Sequence, residues 1–164
     1  MSILASTALW FLPFVLPICL YVCWSDMAAM RITNVSVIAL LVVFAVIGLI
    51  ALPFGTYLWR WLAVIVVLFV GFLLSAGGLL GAGDAKFAAA AAPFIDPGDL
   101  GILLLLFAAN MLAAFVTHRG LGRTALRRLA PEWESWRRDA EFPLGLSLGS
   151  TLAIYLILGA FLGS

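Results

Sequence analysis

Two aspartates could do chemistry in a chain that is otherwise strongly apolar. Asp84 follows two glycines in the stretch 81–86 (GAGDAK), and Asp26 stands near the end of the first apolar run. A carboxylate near the bilayer centre costs about 2.5 kcal/mol or more, so acidic residues at membrane depth usually face a cavity, a partner or a reaction. Two carboxylates close together cannot both ionise easily, so one can activate water as a base while the other, protonated, polarises a peptide carbonyl. Whether Asp26 and Asp84 can meet therefore decides the chemistry.

The composition indicates an integral membrane protein. Of the 164 residues, 65% are hydrophobic and 10% are charged, with a net charge of +1, which is far from the range of a soluble domain. The few scattered charges do not form a nucleic-acid surface, so we expect contact with membrane lipid and no nucleic acid. Cys19 and Cys23 lie four apart in the first apolar run and fit a helix-packing pair. With His118 as the single histidine, we expect no metal and no cofactor.

The elements that must position the aspartates are predicted to be about six membrane helices in a single domain, 1–164, of the all-α polytopic class. Runs of about 20 apolar residues can cross a bilayer, and five are found: Ile3–Trp24, Val35–Leu52, Leu58–Ser75, Leu100–Thr117 and Pro143–Leu162. The sixth, Asp84–Ile95, reaches only about 18 Å as a helix and contains Pro93. It either crosses a thinned or water-filled region or continues irregularly through residues 96–99, where protein must cover it.

The basic residues predict the orientation of these segments. If all six cross, one face holds every Lys and Arg except Arg60: Arg31, Lys86, Arg119, Arg123, Arg127, Arg128, Arg137 and Arg138. The positive-inside rule then places those loops in the cytoplasm and both termini outside. In this arrangement Asp26 and Asp84 emerge at the same cytoplasmic interface and can meet.

The longest polar stretch, 118–141, is predicted to be an amphipathic cytoplasmic segment. Its apolar positions recur at helical spacing: Leu126, Leu129, Trp133 and Trp136. This pattern predicts one or two helices on the cytoplasmic leaflet, the second starting at Pro131. Anchoring to the membrane surface accounts for such a segment. The alternative is that its acidic residues meet a substrate, and these are Glu132, Glu134, Asp139 and Glu141.

The two aspartates can also be interpreted as structural residues that take no part in catalysis. Asp84 can cap the following helix while Lys86 extends to lipid head groups, and Asp26 can be an interfacial carboxylate beside Arg31.

Two further function classes use the same residues differently. A small transporter or channel subunit would bind protons or cations at the aspartates, and it predicts polar residues in several helices and matching broken helices in two halves. A scaffold subunit of a secretion assembly would tolerate replacement of both aspartates.

Three stretches carry a resemblance to a known family. The stretch 81–86 resembles the GxGDxK motif of type IV prepilin peptidases, which are bacterial GxGD intramembrane aspartic proteases. Residues 26–34 resemble that family's first aspartate followed by an Arg-Ile-Pro-Asn element, with Thr33 in the place of proline. Residues 142–145 (FPLG) are similar to its Pro-Phe-Gly-type segment, with Leu144 where an aromatic residue is common. The resemblance covers nearly the whole chain.

The resemblance implies roles for individual residues. Asp26 and Asp84 look like the catalytic pair of an aspartic endopeptidase, and Gly81 and Gly83 are expected to shape the loop around it. The supporting positions are Lys86, Arg31 and Asn34. The expected substrate-binding positions are Glu132, Glu134, Pro143 and Gly145.

The resemblance also implies a substrate class. Longer family members carry a cytoplasmic insert with two Cys-x-x-Cys pairs and methylate the new N-terminus, and this chain has no such pairs. It therefore looks like the short peptidase-only form of Flp/Tad-type pili, without N-methyltransferase activity. Such enzymes cut basic leaders, ending in glycine, from prepilins and pseudopilins at the cytoplasmic face of the bacterial inner membrane. Pilus or secretion assembly components are further expected partners.

Overall fold

The computed structural model of the chain describes residues 1–122, 124, 130–137 and 142–164. Within these ranges it contains six α-helices: α1 (Ala5–Ala29), α2 (Asn34–Ala51), α3 (Phe54–Ala76), α4 (Ala82–Ala91), α5 (Leu100–Gly122) and α6 (Leu144–Leu162). Short 3₁₀ helices cover Ala92–Phe94, Pro97–Asp99 and Glu134–Trp136. Predictions that fall outside the described residues concern Arg123, Leu126, Arg127, Arg128, Leu129, Arg138, Asp139 and Glu141.

Five of the helices are long and apolar enough to cross a membrane, and only α4 is too short. Large apolar side chains on their outer faces are exposed, as at Phe69 on α3 and Leu105 on α5. Such side chains need lipid around them because water would not solvate them favourably. The prediction of an all-α polytopic membrane protein is confirmed.

The core of the bundle forms where α1 packs along α6, with α2 and α4 against them. An aromatic cluster joins four elements near one end. The ring of Phe94, which follows α4, lies 4.8 Å from Phe11 of α1 and 5.5 Å from Phe44 of α2. Phe44 also stacks on Tyr57 of α3, with 5.4 Å between ring centroids. Edge-to-face and stacked pairs of this kind add to the free energy of burial and fix the end of α4 in the bundle.

The chain after α3 runs from one end of α1 to the other, although α4 itself is short. At the start of α4, Gly83 lies against Ile32, which follows α1. After the 3₁₀ turns, the Asp99 carboxylate accepts hydrogen bonds from the backbone N–H groups of Ser2 and Ile3, which precede α1. The predicted sixth segment thus continues irregularly rather than stopping part of the way.

Buried polar side chains satisfy the irregular backbone between α4 and α5. The helix changes to a 3₁₀ turn at Pro93, because proline has no N–H to donate within an α-helix. Arg60 donates to the Pro93 carbonyl at 3.2 Å and forms an ion pair with Asp96 at 2.7 Å. The Tyr155 hydroxyl accepts from the Asp96 N–H at 3.0 Å and donates to Asp99 at 2.9 Å. Non-helical backbone at membrane depth requires cover of this kind.

Both termini lie at the same end of the bundle. The Ser164 hydroxyl donates to the Met1 carbonyl at 2.9 Å, and the network around Asp99 occupies this end. The loops that follow α1 and α3 lie at the opposite end, together with Asp26 and Asp84. This arrangement matches the even number of crossings predicted from the basic residues.

The described part of the polar stretch folds differently from the prediction. Residues 118–122 continue α5, and residues 130–137 form a turn at Pro131 followed by a 3₁₀ helix, so no α-helix starts at Pro131 in these ranges. Trp136 is buried and stacks on His118 with 4.6 Å between ring centroids. Its 3₁₀ helix packs against α1. The aromatic side chain that was expected to enter lipid is covered by protein instead.

We expect Asp99→Ala to destabilise the protein strongly. Asp99 is 1% exposed, and its loss leaves the buried N–H of Ile3 and the Tyr155 hydroxyl without this acceptor; an unsatisfied buried group costs about 1–3 kcal/mol. The part-buried N–H of Ser2 also loses its acceptor. Unfolding by denaturant in detergent micelles, followed by circular dichroism, measures the change. Tyr155→Phe is the matched control because it removes a single hydroxyl from the same network. The expectation is wrong if Asp99→Ala is the milder change of the two.

Candidate active site

Asp26 lies in the last turn of α1 because this helix continues past Trp24 to Ala29. The helix ends at Met30, whose backbone has φ 49° and whose N–H donates to the Asp26 carbonyl at 2.9 Å. A left-handed residue at this position is a common helix terminator, although glycine usually occupies it. The reversal leaves the Asp26 side chain 5% exposed and directs the chain into α2.

Thr33 caps the start of α2 at the position where the resemblance led us to expect proline. Its hydroxyl accepts from the Ser36 N–H at 3.4 Å, as N-cap residues do. Its φ of −77° is one that proline also adopts. The departure from the family pattern therefore preserves the local backbone geometry and adds a capping hydrogen bond.

Asp84 is positioned by the turn between α3 and α4. Gly78 ends α3 with φ +72°, and the Leu79 N–H returns to the Leu74 carbonyl at 2.9 Å, which is the Schellman pattern. Gly81 then occupies the N-cap position of α4. Asp84 is the third residue of α4. It is therefore not the N-cap residue of this helix, which was the structural alternative to a catalytic role.

The two motif glycines have different environments. A Cβ atom on Gly81 would lie 2.5 Å from Oδ2 of Asp84, so a side chain at this position would displace the folded-back carboxyl group. Gly83 lies within the first turn of α4, and a Cβ atom on it would meet Ile32 at 3.5 Å, an ordinary contact. Gly81 thus fits the expected role in shaping the turn, whereas the space around Gly83 does not itself require glycine.

The start of α6 holds Asp26 in place. The N–H of Gly145 donates to Oδ2 of Asp26 at 2.7 Å in a buried hydrogen bond. Gly145 is the second residue of α6, after the buried N-cap Pro143, and a helix N-terminus stabilises negative charge. A Cβ atom on Gly145 would lie 2.9 Å from Cγ of Asp26 and equally close to Cδ1 of Ile32. Gly145, predicted to bind substrate, therefore contacts the carboxylate itself.

The structure places the two carboxyl groups at the same end of the bundle. Asp26 and Asp84 are close enough for their charges to interact, and they come from the end of α1 and the start of α4. Asp26 is buried and hydrogen-bonded, whereas Asp84 is half-buried. A fixed carboxylate beside a more accessible one can share a proton and divide acid and base roles.

The supporting residues surround the pair without an ion pair to it among the described contacts. Nζ of Lys86 donates to Oδ1 of Asn34 at 3.3 Å, which links the starts of α4 and α2. Arg31 is exposed, and no ion pair joins it to Asp26 within the described ranges. The alternative of an interfacial carboxylate beside Arg31 would have to be reconciled with the 5% exposure of Asp26.

The predicted acidic contacts lie in the turn that packs on α1. Glu132 is exposed, and its Oε2 lies 3.6 Å from Nη2 of Arg137, a surface pair that contributes little to the free energy of unfolding. Glu134 begins the 3₁₀ helix and is half-buried. Both residues therefore lie at the same end of the bundle as Asp26.

Two residues that the sequence analysis did not single out help to position the site. Nδ2 of Asn110 in α5 lies within 3.1 Å of three acceptors in α6: the Ser147 carbonyl, the Ser150 hydroxyl and the Thr151 hydroxyl. Gly71 of α3 packs so closely on α4 that an added Cβ atom would meet Cβ of Ala85 at 2.9 Å. A lone amide and a small residue within apolar runs are typical helix-packing signals in membranes.

Comparison with known proteins gives one match. A protein-family model described as the type IV leader peptidase family matches residues 13–118. This span runs from α1 into α5 and includes Asp26 and Asp84, but it ends before Gly145. Neither the curated proteins nor the solved structures gave a significant match.

We expect Gly145→Ala and Gly101→Ala to have opposite effects on stability. Both glycines are the second residue of a membrane helix, but a Cβ atom on Gly101 meets nothing within 4 Å. Alanine at 101 should be neutral or stabilise by up to about 1 kcal/mol. Alanine at 145 should destabilise by about 1–3 kcal/mol, since it displaces Asp26 or Ile32.

The same unfolding assay in detergent measures both changes. Equal effects of the two substitutions would contradict the close approach of Gly145 to Asp26.

Proposed function

The chain belongs to the type IV leader peptidase family, and we propose that it is a membrane-embedded aspartic endopeptidase. Its substrates in this proposal are Flp-type prepilins and related pseudopilins, from which it removes the basic leader. One observation carries the proposal: Asp84 and the Asp26 carboxylate, which is bound to the Gly145 N–H at 2.7 Å, lie at the same end of the bundle within the range at which their charges interact. Two carboxyl groups and a water molecule suffice for peptide hydrolysis.

The contacts of the two carboxyl groups divide their roles in this mechanism. Asp26 receives a backbone hydrogen bond at the N-terminus of α6, which favours its charged form, so it acts as the base that takes a proton from water. Asp84 receives no backbone hydrogen bond among the described contacts and holds the proton that it gives to the substrate carbonyl oxygen. The hydroxide adds to the carbonyl carbon, which gives a tetrahedral gem-diol. The C–N bond then breaks as the amine leaves with the proton from Asp26, and one hydroxyl of the gem-diol returns its proton to Asp84 as the carboxylic acid forms.

The basic residues near the pair support a site at the cytoplasmic surface. Lys86 and Arg31, which follow the two aspartates, lie at the same end, whereas Arg60 lies at the other. The positive-inside rule then places the carboxyl pair at the cytoplasmic face of the inner membrane.

Glu132 is exposed at this end and offers a carboxylate to a basic leader. Without Cys-x-x-Cys pairs in the sequence, we expect peptidase activity alone.

Replacement of either aspartate should abolish leader removal. We expect Asp26→Asn and Asp84→Asn to lower the cleavage rate by about 10²-fold or more, since each removes an acid or base of similar shape. The measurement is co-expression with a Flp-type prepilin of the same genome, followed by an immunoblot for the size of the pilin. Matched membrane levels and unfolding midpoints serve as the control for folding.

Two outcomes would contradict this proposal. A variant that still cleaves at a near-normal rate would refute the assignment of its aspartate. If wild-type protein is inserted correctly but leaves several prepilins uncut, proton or cation flux through the protein becomes the next measurement.

Labelling with a membrane-impermeant thiol reagent tests the proposed face. We expect Ser164→Cys to react in intact cells and Leu79→Cys to react only after the membrane is opened, because the α3–α4 turn is assigned to the cytoplasm. Leu79 is 79% exposed, so burial within the protein cannot explain a lack of reaction with the thiol reagent in intact cells. The wild-type chain, with Cys19 and Cys23, gives the background. The reverse pattern would place the carboxyl pair outside.

A further inference from the structure

A groove of about 560 Å³ opens on the side of the bundle between α3 and α5. Its floor is formed by α4 and α6, and its walls are almost entirely apolar. Val66 of α3, Leu103 and Phe107 of α5, and Leu148 of α6 are among the lining residues. The groove therefore faces the hydrocarbon region of the membrane and cannot favour a polar occupant.

The groove follows the face of α4 that carries Asp84. Ala88 and Ala91 line it, and they stand four and seven residues after Asp84 in α4, a spacing that places all three on one side of this helix. The groove thus begins one helical turn from the carboxyl group. From there it extends along α4 for about 12 Å toward the end of the bundle that holds the termini.

The α4 residues that form the floor of the groove are small. Ala88 and Ala92 are half-buried and open to the groove, whereas Ala89 and Ala90 are buried on the other side of the helix. Small residues let the backbone of a second helix approach closely, as in packed membrane helices. At the far end the lining includes Arg60, which is 5% exposed and whose Nε has no hydrogen-bond partner among the residues that the structure describes.

We propose that this groove binds the apolar membrane helix of the substrate that follows the scissile bond. The proposal rests on the proposed function, in which the basic leader stays in the cytoplasm and the peptide bond is cut beside Asp84. The chain after that bond must then enter the membrane, and the groove is the path that starts at the same face of α4. Its largely apolar walls match an apolar helix, and its alanine floor matches close helix contact.

Filling the groove tests this proposal. Ala88→Leu and Ala92→Leu place side chains where the helix would lie, and Ala109→Leu on exposed α5, outside the groove, is the matched control. The probes are a full-length Flp-type prepilin in liposomes and a peptide of the same leader and cleavage site without the apolar segment. We expect the groove variants to lower kcat/KM for the full-length probe at least tenfold and to leave cleavage of the peptide unchanged.

Cross-linking supplies a readout that does not depend on cleavage. In the Asp84→Asn background, Ala92→Cys should form a disulfide with a cysteine placed in the apolar segment of the prepilin, and Ala109→Cys should not. Protein that carries only the wild-type cysteines gives the background level of cross-linking. Of these, Cys19 is fully buried.

The outcomes separate this proposal from the proposed function. Wild-type cleavage of the full-length probe, with no effect of the groove variants and no cross-link, overturns the groove assignment and leaves the peptidase standing. A cross-link at residue 92 without any cleavage by the wild type supports the groove and refutes the peptidase. A bound phospholipid, seen by native mass spectrometry in wild type and lost in Ala92→Leu without a cross-link, assigns the groove to lipid and overturns the proposal.

Discussion

The site depends on one hydrogen bond, from the N–H of Gly145 to the carboxylate of Asp26 at 2.7 Å. It joins the end of α1 to the beginning of α6, the two helices that pack together most extensively. A buried carboxylate is costly unless donors surround it, and the first turn of a helix supplies N–H groups that its own backbone cannot use. The position of α6 along α1 and the position of the Asp26 carboxyl group are therefore set together.

The opposite end of the bundle contains a polar network that stabilises irregular backbone. There Arg60, Asp96, Asp99 and Tyr155 bind one another and the backbone near Pro93. Because this network covers an irregular segment, the chain can return across the bundle with only a short helix. The start of α4 can then lie beside α1 and α2, which places Asp84 at the same end of the bundle as Asp26. The polar network at one end and the carboxyl pair at the other are thus connected through α4.

The shortness of α4 also gives the bundle its open side. A full-length helix with large side chains would fill the space between α3 and α5, whereas α4 presents alanines there. The same helix carries Asp84 at one end of the opening. Asp84 and the groove therefore share one rigid element, and a helix bound in the groove would keep a fixed distance from Asp84.

The sequence by itself determined the helical class, the approximate helix bounds and the common end of Asp26 and Asp84, because lipid imposes length and polarity on every crossing. It did not predict the turn at Pro131, since the aromatic spacing that indicates a surface helix is equally satisfied when Trp136 stacks on His118.

Only the tertiary structure decided the role of Gly145, the three acceptors of Asn110 and the close approach of Gly71 to Ala85. Gly145 lies 119 positions from Asp26 in the chain. Contacts between such distant residues depend on how whole helices pack, so the local periodicity of the sequence does not predict them.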